Sequence, residues 1–134
     1  MNPEQLTHLT DQITAAIAAH GMWKQRLRNA IATGATDISL ETIRADNQCV
    51  FGKWLYSDTI PQHVKNGEDY QAVLRLHAEF HKVAARVAEL AVAGNKVEAE
   101  GLMQLGGEFT LASSKLTQAM MKWREKLSAK AHAA

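Results

Sequence analysis

EDYQAVLRLHAEFHKVAARVAELAVA, residues 68–93, is the stretch on which the fold turns. Tyr70, Val73, Leu74, Phe80, Ala84, Val87 and Ala91 recur at steps of three and four, which keep to one side of a helix. His77 and His81 fall within that stripe, in line with Val73 and Ala84, so a helix here carries both imidazoles on its apolar side, one turn apart. Glu68 and Asp69 suit the positive N-terminal end of such a helix, and Gly94 suits its stop. The spacing predicts a helix from about Glu68 to Ala93.

The same period extends to both sides. Upstream, Asn2 is placed to cap a helix that opens on Pro3, and Leu6, Leu9, Ile13, Ile17, Trp23, Leu27 and Ile31 form its buried face. With Gly34 as its stop, this predicts one helix of about 30 residues and about 45 Å. His20 lies inside its stripe, between Ile17 and Trp23. Downstream, Asn95 and Glu98 read as a capping box. One continuous helix then carries Leu102, Leu105, Phe109, Ala112, Leu116, Ala119 and Trp123. Residues 39–57 read as a shorter helical stretch, capped by Asp37 or Ser39 and broken near Gly52, and Pro61, Asn66 and Gly67 mark a loop with room for one helical turn. The expected architecture is all-α. It is an antiparallel four-helix-type bundle over residues 1–134, one domain, with one short, broken helix carrying Cys49.

Composition excludes several classes. Fifteen basic and fourteen acidic residues give a net charge of +1, without the basic excess of a nucleic-acid binder. No apolar run approaches the roughly 18 residues of a membrane span, and the N-terminal residues lack the pattern of a signal peptide. A cytoplasmic location with a reduced thiol is the expectation. β-Branched clusters and glycine turns are too few for a doubly wound catalytic sheet.

One cysteine stands beside six histidines. An isolated buried histidine is ordinarily satisfied by a backbone carbonyl, and a lone cysteine is ordinarily a small apolar core residue. Three inward histidines on two helices are harder to satisfy one by one, and a shared metal satisfies them together. His20, His77, His81 and Cys49 make a closed set of three nitrogens and one sulfur, the donors that zinc prefers over magnesium or calcium. Four protein ligands leave no open position for a reactive water, which argues against hydrolytic catalysis and for a non-enzymatic role. Asp46, one turn before Cys49, is a candidate to orient a ligand imidazole, or else a solvated or capping aspartate. Trp23 and Trp54 are candidates to pack around the site, and Gly52 to let the cysteine-bearing stretch rearrange. His8, His63 and His132 fall outside the stripes and read as surface residues.

The residues around these donors form an ordered pattern. His20 is followed by Trp23, Cys49-Val50-Phe51-Gly52-Lys53-Trp54 gives C-x-F-G-x-W, and His77 with His81 gives H-x-x-x-H. In this order and spacing the chain resembles the chemoreceptor zinc-binding (CZB) domains of bacteria. The resemblance implies zinc, one per chain, held by His20, Cys49, His77 and His81, and a helical bundle that is often a homodimer. It implies a signalling role in cis or trans with chemoreceptors or cyclic-di-GMP synthases (diguanylate cyclases), in which Cys49 senses zinc level or hypochlorous acid. Two other classes remain open at this point, a hemerythrin-like di-iron bundle and a zinc-stapled dimerisation module without sensing. Gly106-Gly107-Glu108-Phe109 spells GGEF, but one acidic residue of the cyclase signature is missing and no catalytic domain surrounds it.

Overall fold

A computed structural model describes residues 1–133, with side chains through residue 130, so the side chain of His132 lies outside the described residues. All regular structure among them is helical. In chain order the helices are α1 (Pro3–Gly21), α2 (Trp23–Thr33), α3 (Leu40–Arg44), α4 (Val50–Leu55), α5 (Gln62–Lys65), α6 (Glu68–Val92), α7 (Lys96–Met103) and α8 (Glu108–Ala133).

The expected helix starts and stops are largely present. The Asn2 side chain accepts from the Gln5 amide at 2.8 Å, and the Gln5 side chain returns the bond to Asn2, so α1 opens on a capping box with Pro3 at its first position. Gly34 closes α2 in the left-handed conformation at φ 74°. Ser39, rather than Asp37, caps α3, while Asp37 instead pairs with Arg26 at 3.0 Å.

Four local expectations are corrected. The first long helix is interrupted at Met22, whose amide tightens to a bond with Ala19 three residues back. The last is interrupted between Met103 and Glu108. There the Gly107 amide bonds Gln104 at 2.8 Å and Gly106 takes φ 81°, so Leu105 points to solvent at 99% exposure instead of joining the stripe. Asn95 precedes α7 without a side-chain cap, so no capping box forms with Glu98. In the cysteine-bearing stretch the break falls at residues 45–49, not at Gly52, and Cys49 is the extended residue that caps α4 rather than a residue within a helix.

The path reverses from one run to the next. Ile43 and Arg44 meet His81 and Glu89, while Leu55 meets Tyr70, so the α3–α4 segment descends as α6 ascends. Arg86 pairs with Glu108 and Lys126 with Asp69, which sets α8 antiparallel to α6. α6 packs most extensively on α8 and also against α2, α3 and α7. Its side chains explain that position. Val73, Phe80, Val87, Ala84, Ala85, Ala88 and Ala91 are fully buried, and the alanines of its second half let neighbouring helices approach closely. Full burial of a Leu-, Val- or Phe-sized side chain stabilises by about 1.5–3 kcal/mol, so this helix is the frame on which the rest is placed. No helix among the described residues is long and apolar enough to cross a membrane.

Candidate metal centre

Three histidines point into the core beside the one cysteine. His20 lies in the last turn of α1, and His77 and His81 stand one turn apart on α6. Their exposures are 5%, 0% and 1%, and they are the only polar or charged residues buried among the described residues. Cys49 is partly buried. One donor atom from each of the four lies within 4.8 Å of the others.

The donors are aimed by backbone contacts. His20 Nδ1 is 2.8 Å from the carbonyl of Ala16, and His81 Nδ1 is 2.9 Å from the carbonyl of Ile43. A carbonyl only accepts, so both Nδ1 atoms carry the proton and both Nε2 atoms are bare. Those Nε2 atoms converge with that of His77, at 3.0 Å from His20 to His77 and 3.1 Å from His77 to His81. Cys49 Sγ is 3.4 Å from His77, 3.6 Å from His81 and 4.0 Å from His20.

These spacings test the fit of a metal. Zinc–nitrogen bonds of about 2.05 Å and a zinc–sulfur bond of about 2.3 Å at tetrahedral angles separate nitrogens by about 3.3 Å and nitrogen from sulfur by about 3.6 Å. The observed separations, 3.0 and 3.1 Å between nitrogens and 3.4 to 4.0 Å from nitrogen to sulfur, lie close to these values. Bare nitrogens at this range repel unless a cation or proton lies between them. His77 Nδ1 is buried without a hydrogen-bond partner, so no backbone contact orients this ring as it does the other two.

The surroundings are apolar. Phe51 meets the rings of His20 and His77 edge-on at 5.8 and 5.3 Å, Phe80 meets His20 and His81 at 5.3 and 5.5 Å, and Trp23 meets His81 at 6.0 Å. Burial therefore disfavours imidazolium. It lowers His20 to about 4 and His77 to about 2, and pushes His81 down as well. Burial also pushes the Cys49 thiol up, against the Gly52 amide, which donates to Sγ at 3.3 Å. A cation bound here would favour the thiolate instead.

Gly52 has a role different from the one its type suggested. It lies inside α4, and a Cβ there would sit 1.8 Å from the carbonyl oxygen of Asp46. Its absence of a side chain lets the 45–49 loop lie against α4 and sets the position of Cys49. Asp46 is likewise reassigned. Its carboxylate accepts from the Tyr56 hydroxyl, while backbone carbonyls orient the imidazoles. Trp23 packs on the centre as expected and carries the Arg26 guanidinium 4.0 Å above its ring. Trp54 is one layer out. It stacks on Phe51 at 5.7 Å, lies 6.0 Å from Trp123, and donates its indole N–H to His8 at 3.3 Å. His8 is thus exposed but engaged, and His63 is exposed on α5. The carbonyl of Ile43 and the hydroxyl of Tyr56 had no signature in the sequence. Phe51 was marked only by its place two residues after Cys49.

Neither the curated proteins nor the solved structures compared with the chain gave a match. A family model, the chemoreceptor zinc-binding domain, matches residues 20–88, just over half of the chain. The match begins at the first of the four donors and extends past the last. The chain belongs to the chemoreceptor zinc-binding domain family.

Proposed function

We propose that this protein is a zinc-binding regulatory domain in which His20, Cys49, His77 and His81 hold one zinc ion per chain and Cys49 reports zinc level or an oxidant such as hypochlorous acid. The observation that carries this reading is the convergence of three imidazole nitrogens, those of His20 and His81 bare, and one partly buried thiol within 4.8 Å of one another. Family membership supports zinc over other metals, and a regulatory over a catalytic role. No carboxylate joins this donor cluster, which disfavours a di-iron centre.

Bound zinc would supply the positive charge that keeps Cys49 deprotonated. Hypochlorous acid then delivers its oxygen to the thiolate, giving the sulfenic acid and releasing chloride. The sulfur ceases to be an anionic donor, and the 45–57 stretch loses its tie to His20, His77 and His81. Residues 45–57 are the mobile element in this reading, and α1, α2, α6 and α8 are the frame. The signal passes to a chemoreceptor or a diguanylate cyclase, in cis or in trans, from a cytoplasmic and homodimeric domain.

The test is metal content and thiol titration of native protein and of Cys49→Ala, before and after hypochlorous acid. Wild type is expected to carry about one zinc per chain and to lose it with its thiol on oxidation, while Cys49→Ala binds zinc more weakly and does not respond. Absence of zinc from wild type sinks the assignment, and two irons per chain would favour the di-iron class. Zinc that survives oxidation of Cys49 would leave a structural staple without sensing.

A further inference from the structure

A cleft of about 410 Å³ opens beside the donor cluster, between α1 and the segment that carries Cys49. Cys49, His20 and His81 form part of its wall, and the exposed Ala15 and Ala19 of α1 line it with methyl groups only. Its volume falls within the range of small-ligand sites, about 300–1,000 Å³. Arg26 is the one lining residue with a fixed charge, and no carboxylate lines it. Both bonds from Arg26 to Asp37 use Nη2, which leaves Nη1 and Nε for an anionic group.

A closed set of four protein donors has no open position, so metal transfer needs an incoming donor beside one that can leave. The cleft brings solvent to Cys49, the one donor of the four that is partly exposed rather than buried. We propose that this cleft binds a low-molecular-weight thiol bearing carboxylates, and that zinc is loaded and unloaded by ligand exchange with it. The inference rests on the zinc assignment above. The exchange is donor for donor. The incoming thiol gives up its proton as its sulfur takes the place of Cys49, and Cys49 leaves as the thiol carrying that proton. No electrons move.

The experiment follows transfer of zinc from the loaded protein to a chromophoric chelator, with increasing glutathione as the probe. The transfer rate is expected to rise with glutathione and to saturate, and S-methylglutathione, which lacks the thiol, is expected to inhibit. The double variant Ala15→Leu/Ala19→Leu fills the cleft from the exposed side of α1. It is expected to keep wild-type zinc stoichiometry and affinity while losing most of the glutathione acceleration. Arg26→Gln is expected to raise the half-saturating concentration. A rate that climbs linearly without saturation, or an acceleration undiminished in the filled variant, overturns the proposal. A wild-type protein without zinc would instead overturn the donor assignment.

Discussion

α6 and the stretch from Ile38 to Tyr56 supply donors to one centre by opposite means. α6 is 25 residues long and presents His77 and His81 from a continuous helix whose neighbouring side chains are fully buried. The other stretch has two helices of five and six residues, and its donor is an extended residue between them. The first is fixed by core packing. The second is fixed by a few discrete contacts: the Ile43 carbonyl on His81, the Asp46–Tyr56 bond, and the close approach of Asp46 to Gly52. A centre built this way has three deeply set donors and one whose position depends on local contacts, and it follows that perturbations on the two sides should differ in kind.

The largest expected effect comes from the rigid side. His77→Ala removes a fully buried donor and should abolish the zinc-dependent gain in stability, about 4 kcal/mol when free zinc exceeds its Kd a thousandfold. Denaturant unfolding with and without zinc measures it, and an undiminished gain would contradict the donor set. Gly52→Ala strikes the other side. Its Cβ would meet a backbone oxygen rather than a flexible side chain, so the 45–49 loop must move, at a cost of about 3 kcal/mol in the metal-free protein. A variant as stable as wild type would show that the loop is not held there.

Protonation acts on the imidazoles of both α1 and α6. His20 is lowered to about 4 and His77 to about 2 in the fold, while an unfolded histidine titrates near 6.5. Between those values the unfolded chain binds more protons than the native one. Metal-free stability is therefore full above about pH 6.5 and lost as pH falls toward 4, at up to about 1.4 kcal/mol per pH unit for each buried imidazole. Unfolding free energies measured across pH 8 to 4 check this, and a flat profile would contradict it. The smallest effect is expected from Tyr56→Phe, which deletes one bond from an exposed hydroxyl, about 1 kcal/mol or less. Amide exchange should quicken in residues 45–57 and stay unchanged in α6. Equal change in both would erase the distinction between the two regions.

The difference also explains what the sequence revealed. α6 was legible to within a residue because a 3.6-residue period over 25 positions is a strong local signal, and the histidine pair came with it. The stripe of α1 and α2 was legible, but the interruption at Met22 was not, because no proline marks it and the stripe continues across it. Leu105 was misplaced because its apolar character suited the period, whereas Gly106 and Gly107 turn the backbone there. The contacts that hold Cys49 join residues far apart in sequence, such as Ile43 with His81, and no local pattern encodes them. The four donors were nonetheless identifiable, because their chemistry is rare enough to be read from residue type.

The aromatic packing has a practical consequence. All three tryptophans of the chain connect to the donor cluster. Trp23 meets His81 directly, Trp54 meets it through Phe51, and Trp123 meets it through Trp54. Tryptophan emission from the unlabelled protein therefore arises from rings within a few contacts of the centre. Events at the donors are observable by light in the native chain, with no dye and no added cysteine.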